Sequence, residues 1–252
     1  MKLRLAFILL MAVCMSASQA QMVPADKEKV KGGELAIQPI THATLVLTYK
    51  KTNIYVDPTG GAEAFKGLAP PDIILITDIH GDHFDPKTLE AVITHNAVII
   101  LPQAVADQLP ATMDKQKLVI LKNGNKSTQS GIFITAVPMY NLPGAPNANN
   151  HTKGRGNGYI LVIGGKTIYI SGDTADTPEM RALKNIDIAF VCMNLPYTMD
   201  VNSAAQGVLA FKPKVVYPYH YRGQDVDKFN ALVNTGDKNI QVRLRNWYPD
   251  AK

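Results

Sequence analysis

Apolar residues fall into short runs along the chain, and the spacing within each run predicts a secondary-structure element. The runs at 34–40, 43–49 and 52–58 alternate between apolar and polar residues, which is typical of antiparallel strands joined by turns. The run at 72–78 is apolar and β-branched almost throughout, which indicates a strand buried on both faces. Further strands are predicted at 97–102, 117–121, 131–140, 158–163, 166–171, 186–193 and 214–220.

Helical segments are predicted between these strands. Asp85 has the side chain of a helix N-cap and Pro86 follows at the first helical position, so a helix is expected from about 86 to 94. Gly164 and Gly165 separate two apolar runs and supply the positive φ angles of a two-residue hairpin turn. The remaining helices are predicted near 104–109, 177–183, 202–211 and 225–234.

Strands and helices alternate in two successive parts of the chain, and each part includes antiparallel strands. The pattern therefore favours an α/β (α+β) fold in four layers, with two mixed sheets facing each other and helices outside. We expect a single domain over residues 34–252, because no linker, low-complexity segment or short-period repeat interrupts the chain. Residues 21–33 are polar and are expected to form a flexible lead-in.

The first 20 residues have the layout of a secretory signal peptide. Lys2 and Arg4 precede an apolar run from 5 to 13, and small residues lead to a cleavage position after Ala20. A buried N-terminal helix is one alternative. A lipoprotein anchor at Cys14 is disfavoured, because a bulky valine directly precedes this cysteine. We therefore expect an exported protein, secreted or periplasmic, without stable membrane insertion after cleavage.

Charge and cysteine content narrow the class of function. Loss of residues 1–20 removes two positive charges and no acids, so the formal net charge falls from +5 to +3. A weak positive charge without a basic cluster gives no indication of nucleic-acid binding. The processed chain would keep Cys192 alone, which lies in an apolar run and is expected to be an inert core thiol without a disulfide partner.

The stretch TDIHGDHFD at 77–85 carries the clearest chemical signal. It places two of the six histidines of the chain among three aspartates, directly after the buried run at 72–78. Three more residues with ligand side chains stand beside predicted strands, namely His151, Asp173 and His220. Imidazole and carboxylate groups are common ligands of zinc, manganese and iron, so the pattern predicts a metal site.

The order of these residues resembles the metallo-β-lactamase superfamily. That family's signature is His-x-His-x-Asp-His after a buried strand, then a distant His, a Gly-Asp pair and a last His. Here 78–83 is Asp-x-His-x-Asp-His, and His151, Gly172-Asp173 and Tyr219-His220 follow, so the match spans roughly 34–250. The segment THATLVLTYKKTNIYVDP is similar to the branch that contains L-ascorbate-6-phosphate lactonase. The resemblance implies a metallo-β-lactamase-like αββα sandwich and a metal-dependent hydrolase.

The resemblance also implies roles for individual residues. It implies His80 and His151 as ligands of a first metal ion, Asp82, His83 and His220 as ligands of a second, and Asp173 as the bridge between them. Asp57 would support the metal-binding loop from behind. Two divalent ions are implied, Zn²⁺ first, with Mn²⁺ or Fe²⁺ as alternatives. A hydroxide held between them would cleave an ester, lactone or phosphodiester bond of a small, anionic substrate, with Asp82 moving the proton.

Asp78 departs from the superfamily pattern, which has a histidine at this position. Asp78 either coordinates the first ion through oxygen, which we favour, or points away and leaves the first site weak. Coordination would bring the site near zero net charge and shift its preference towards harder ions such as Mn²⁺ or Fe²⁺. The departure keeps a second function open, namely a non-catalytic metal-binding or ligand-binding protein that retains the fold.

Other polar residues near the predicted ligands are candidates for substrate contact. Arg155, Arg222 and Tyr221 would form a positive rim suited to a phosphate or carboxylate, although simple exposure to solvent also explains the two arginines. His42 is expected to make a structural hydrogen bond or to reach the pocket rim. His95 is expected to be a surface or structural residue.

Overall fold

The computed structural model describes residues 22–94, 96–114 and 117–249, and two seven-stranded sheets form the framework of this part of the chain. The first sheet contains β1 to β7, which are Asp26–Val30, Gly33–Thr41, Thr44–Tyr49, Thr52–Val56, Ile73–Leu75, Val98–Leu101 and Leu118–Ile120. The second sheet contains β8 to β14, which are Lys126–Gln129, Ile132–Met139, Gly156–Ile163, Lys166–Ile170, Ile188–Cys192, Val215–Tyr219 and Gln241–Val242. Helices α1 to α5 are Pro86–Val92, Gln103–Ala106, Pro178–Arg181, Val201–Phe211 and Val226–Gly236. Short 3-10 turns occupy Ala62–Phe65 and Ala148–Asn150.

The two sheets have the same sequence of strand directions. Strands β1 to β4 pair antiparallel and β4 to β7 pair parallel, while β8 to β11 pair antiparallel and β11 to β14 pair parallel. The prediction of two mixed sheets is therefore confirmed. In each sheet the carboxyl ends of the parallel strands lie along one edge, which is where loops from α/β sheets gather functional side chains.

Alternation along the strands separates two apolar cores. Ile54 and Val56 of β4 belong to a large core that includes Leu161 of β10, whereas Tyr55 between them belongs to a smaller core with Leu89 of α1. Strand residues that point to opposite faces produce this division. The larger core continues across the second sheet to α4 and α5, so helices cover both outer faces and the four predicted layers are present.

Several local predictions hold in detail. The Asp85 side chain accepts a hydrogen bond from the backbone N–H of Lys87 at 3.0 Å, as expected of an N-cap. Gly164 and Gly165 connect β10 and β11 with φ angles of 55° and 79°. Cys192 is fully buried, and burial raises the pKa of its thiol to about 12.

The predicted flexible lead-in over 21–33 is wrong in part, because β1 lies within it and pairs with β2. β1 is an edge strand of mostly charged residues, and such charges protect an exposed sheet edge from pairing with another chain. The same charges leave the strand without the apolar pattern from which strands were predicted. Asp26 of β1 accepts hydrogen bonds from Tyr217 and Arg245. The polar strand β8 was also not predicted, for the same reason.

Two other predictions fall on residues outside the described ranges. These are the signal peptide at 1–20 and the environment of His95. Within the described ranges, every helix is too short or too polar to cross a lipid bilayer.

Candidate metal centre

All seven predicted metal ligands lie at one edge of the two sheets, around a cleft of about 420 Å³. This volume suits a small molecule. The loop after β5 carries Asp78, His80, Asp82 and His83, and the ends or beginnings of second-sheet strands carry the other three ligands. The walls of the cleft include His42, His80, Asp82, His151, Asp173 and Arg222.

The start of β10 brings the second sheet against the loop of the first. The backbone N–H of Asn157 donates to the carbonyl oxygen of Thr77 at 2.9 Å. Gly156 makes this approach sterically feasible, because a Cβ at that position would lie 2.8 Å from the same oxygen. This contact sets the His151 loop beside Asp78 and His80.

His83 is held from behind by a buried carboxylate. Its Nδ1 lies 2.8 Å from Asp57 Oδ2, and Thr77 donates to the same carboxylate through its backbone N–H and its hydroxyl. An ionised carboxylate only accepts hydrogen bonds, so Nδ1 of His83 carries a proton. Nε2 is therefore the atom that His83 presents to the cleft, where it lies 3.0 Å from Nε2 of His220.

Asp173 lies between the two groups of ligands. One oxygen is 3.0 Å from His220 Nε2, and the other is 3.1 Å from His151 Nε2 and 3.3 Å from His83 Nε2. Yet neither Asp173 Oδ1 nor His151 Nε2, both buried, makes a hydrogen bond of acceptable geometry with the described residues. A bound cation would satisfy both the Asp173 oxygen and the His151 nitrogen that faces it. The residues of this cluster therefore fit metal ions.

Charges in the cluster shift the pKa values of Asp173 and His83 so that the ionised form of each is favoured. Burial alone would raise the pKa of Asp173, but the neighbouring His220 and His83 together lower it well below its usual value. Burial likewise opposes protonation of His83, but the carboxylates of Asp173 and Asp57 raise its pKa well above the usual value. The cluster thus attracts positive charge, whether a proton or a metal ion supplies it.

Asp78 does not point away from the histidines. Its Oδ2 lies 2.9 Å from His80 Nδ1 and 3.6 Å from His151 Nε2. Asp78 also contacts Arg155, which the sequence did not predict. Arg155 donates to both carboxylate oxygens, from Nε to Oδ1 at 3.1 Å and from Nη2 to Oδ2 at 2.8 Å. The fully buried carboxylate and this guanidinium together carry no net charge, as would a neutral histidine.

This pairing corrects one expectation about substrate contact. Arg155 is not among the residues that line the cleft, because Asp78 holds its guanidinium. Tyr221 also points elsewhere, since its hydroxyl donates to the carbonyl oxygen of Arg245 at 3.2 Å. Arg222 does line the cleft, and no described residue forms an ion pair or hydrogen bond with its guanidinium.

Sequence reasoning missed two residues of the site, Asn141 and Asn194, and it did not predict the contact of His42 with Asp82. His42 contacts Asp82 Oδ2 through Nε2 at 2.9 Å. The amides of Asn141 and Asn194 face Nδ1 of His151 and of His220, each at 3.3 Å. The two expectations for His42, a structural hydrogen bond or a position at the rim, are both met, because it bonds to Tyr248 and lines the cleft.

Backbone conformation also marks this edge. His42, Asp57 and His220 have φ angles of 54°, 44° and 49°, in a region that residues other than glycine seldom adopt. Each such residue costs on the order of 1 kcal/mol and persists where surrounding contacts enforce it. Three of them within one cluster indicate that side-chain placement outweighs local backbone preference.

Comparison with known proteins places this site in a family. A family model described as a β-lactamase superfamily domain matches residues 36–220. The chain belongs to the β-lactamase superfamily. A UPF0173 metal-dependent hydrolase of Pyrococcus abyssi is 30% identical over 81% of this chain and 93% of its own length. This superfamily member is accordingly a metal-dependent hydrolase.

Solved structures agree with this assignment. A Parabacteroides distasonis protein assigned to the metal-dependent hydrolases is 41% identical, with a TM-score of 0.80 over 88% of this chain and 98% of that one. Igni18, a metallo hydrolase of Ignicoccus hospitalis, is 20% identical with a TM-score of 0.70 over 84% of this chain and 94% of its own, which shows the shared fold.

Metal binding should release protons at neutral pH. The pKa of His83 is raised in the metal-free protein, so below that raised pKa an ion has to displace the proton, and affinity should rise with pH until the pKa is passed. Calorimetric titration with Zn²⁺ in two buffers of different ionisation enthalpy measures this release. Asp57→Asn should reduce it, because the carboxylate that raises the His83 pKa is gone. A heat that is independent of buffer would contradict the assignment.

Arg155→Gln should destabilise the metal-free protein by about 3 kcal/mol, because it leaves the buried Asp78 carboxylate without its charge partner. Added Zn²⁺ should recover much of this loss, since a nearby cation replaces the missing positive charge. Chemical denaturation with and without metal measures both quantities. The control is the double variant Asp78→Asn/Arg155→Gln, which removes both charges and should unfold closer to wild type. Equal losses with and without metal would refute the link between Arg155 and the metal site.

Proposed function

We propose that this protein is an exported hydrolase that uses two divalent metal ions to cleave an ester, lactone or phosphodiester bond in a small, anionic molecule. The observation that carries the proposal is the position of Asp173, whose buried carboxylate faces three histidines while its Oδ1 and the Nε2 of His151 remain without a hydrogen bond to the described residues. Such a cluster is costly to maintain unless a cation occupies it.

We assign the ligands in two groups. Asp78, His80 and His151 would hold one ion, and their ligand atoms lie within 4.8 Å of one another. His83 and His220 would hold the second ion. Their ligand atoms and that of Asp173 also lie within 4.8 Å of one another. Asp173 would serve both ions, because its carboxylate lies 3.1 Å from His151 of the first group and 3.0 Å from His220 of the second. Asp82 would complete the second group, since its Oδ2 lies 3.5 Å from His220 Nε2.

Zinc is the ion we propose first, with Mn²⁺ and Fe²⁺ as alternatives. Four imidazoles and three carboxylates form a mixed nitrogen and oxygen donor set that suits zinc. Asp78 replaces a neutral histidine, which by itself would favour harder ions. The Arg155 guanidinium offsets its charge, so this reason to prefer manganese or iron is weakened.

When bound, the ions supply Lewis-acid activation of water and of the scissile bond. The residues of the chain supply the rest. Asp57 and Thr77 fix the ring of His83, so that Nε2 faces the cleft. Asp82 is partly exposed at the cleft wall, where we propose that it accepts the proton of the attacking water and passes it to the leaving group.

The chemistry of the cleft supports an anionic substrate. Arg222 lines it, and no described residue neutralises its guanidinium, so an anionic group of the substrate would gain a charged partner there. Tyr197 lines the same cleft and is 45% exposed, which offers an aromatic surface for a less polar part of the molecule. We propose export on the strength of the signal-peptide pattern over residues 1–20 alone.

The principal test compares Asp173→Asn with Asp227→Asn. Asp227 is an exposed acid in the first turn of α5, away from the cleft, so its replacement is the matched control. Asp173→Asn should lose most of the bound metal, and with it hydrolysis of a panel of nitrophenyl esters, lactones and bis-nitrophenyl phosphate. Metal content by mass spectrometry and initial rates measure the two effects. Equal metal content and rates in both variants would refute the proposed centre.

Arg222→Gln should raise KM about tenfold for an anionic substrate, because one charged hydrogen bond is lost. For a neutral substrate with the same scissile bond, KM should stay unchanged. The control is Lys228→Gln, which removes an equal charge from the exposed surface of α5. Equal changes for anionic and neutral substrates would show that Arg222 does not recognise the anion.

A further inference from the structure

His42 lies outside the metal-binding motif but reaches into its centre. It stands in the turn between β2 and β3, and its side chain is only 12% exposed. Nε2 lies 2.9 Å from Asp82 Oδ2, and Nδ1 lies 2.7 Å from the hydroxyl of Tyr248. Its ring also lies against that of His220, with 4.0 Å between centroids. His42 thus connects three parts of the molecule, namely Asp82, His220 and the C-terminal segment after β14, which carries Tyr248.

The hydrogen-bond partners determine which nitrogen of His42 carries the proton. The backbone N–H of Arg222 donates to the Tyr248 oxygen at 2.8 Å, so this oxygen already accepts and its own proton remains to be donated. The nearest acceptor is Nδ1 of His42. At the other end, an Asp82 carboxylate only accepts, which requires a proton on Nε2. Both ends select the same neutral tautomer, with Nε2 protonated.

The backbone around His42 is fixed as firmly as its side chain. Its N–H donates to the carbonyl oxygen of Trp247 at 2.8 Å, and its own carbonyl oxygen accepts from the N–H of His220 at 3.2 Å. Trp247 is fully buried, so the segment that carries Tyr248 is anchored in the core. These contacts hold the left-handed conformation of His42 and leave its ring little freedom.

We propose that His42 is a positioning residue, which holds Asp82 through its Nε2–H while Tyr248 fixes the tautomer that makes this bond. With Oδ2 of Asp82 engaged by His42, Oδ1 remains on the side of His83, at 3.9 Å from its Nε2. The orientation of Asp82 towards the cleft is thereby set before any substrate binds. The inference rests on the proposed function, in which Asp82 contacts a metal ion and moves the proton.

The test uses the rescue of one variant by another. His42→Ala should weaken metal binding or lower kcat by about 10- to 100-fold, as loss of a group that orients a ligand does. His42→Gln should recover most of this loss, because its amide N–H can donate to Asp82 in place of Nε2–H. Tyr248→Phe should fall between wild type and His42→Ala. Its matched control is Tyr49→Phe, which removes a hydroxyl bonded to the carbonyl oxygen of Lys31.

The readouts are Zn²⁺ affinity by competition with a chromophoric chelator, kcat and KM for a nitrophenyl ester, and thermal unfolding. A merely structural role for His42 would lower the stability of both His42 variants without separating their metal affinities. If His42→Ala and His42→Gln have equal metal affinity and also equal kcat, whether high or low, the inference is overturned. The inference is also overturned if Tyr248→Phe changes Zn²⁺ affinity and kcat no more than Tyr49→Phe does.

A spectroscopic measurement separates failure of this inference from failure of the proposed function. In the metal-free full chain, long-range ¹H–¹⁵N correlation spectra should show His42 with Nε2 protonated and Nδ1 unprotonated, and Tyr248→Phe should weaken that preference. A proton on Nδ1 would overturn the inference alone. Absence of metal binding by the wild-type protein would contradict the proposed function, whatever tautomer His42 adopts.

Discussion

Buried negative charge at one edge of the two sheets is the constraint on which this structure depends. Asp57, Asp78 and Asp173 are almost fully buried, and an isolated buried carboxylate is too costly to remain ionised. Asp57 is compensated by Thr77 and His83, and Asp78 by Arg155. The Asp173 carboxylate faces three imidazoles, and its Oδ1 makes no hydrogen bond with the described residues. The arrangement is complete only when positive charge enters it, which gives the metal requirement a physical cause.

The fold supplies this edge by repeating one arrangement of strands. Each sheet passes from antiparallel to parallel pairing, so the ends of β4 and β5 meet those of β11, β12 and β13. The strands themselves are buried and rigid, while the side chains that do the chemistry stand on the loops just beyond them. Positive φ angles at His42, Asp57 and His220 show where the chain departs from its preferred conformation to aim those side chains.

Patterns within the chain predicted most of the architecture. Apolar periodicity located the buried strands and the five α-helices of the described residues, although the run at 72–78 yielded only a three-residue strand at Ile73–Leu75. The N–H of Ile76 still donates to Ile100, but that of Thr77 donates to the Asp57 side chain instead of to a neighbouring strand. Periodicity cannot reveal such a departure, because it reports which side chains are apolar and not which partners the backbone bonds.

The contacts that sequence reasoning did not predict join distant segments of the chain. Arg155 lies next to His151 in the chain and so suggested substrate contact, but its partner Asp78 stands 77 positions earlier. His42 and Tyr248 are 206 positions apart, and neither belongs to the metal motif. A motif identifies residues by order and spacing, whereas these pairs follow from how the two sheets and the C-terminal segment meet.

Trp247 gives the protein a built-in optical reporter. It is the only tryptophan in the sequence, it is fully buried against Tyr219 and Phe190, and its carbonyl oxygen holds the turn that carries His42. Indole emission from this protein therefore comes from a single environment next to the catalytic edge. Detachment of the terminal segment would expose that indole to water and shift its fluorescence to longer wavelength, so the integrity of the site is visible without a label.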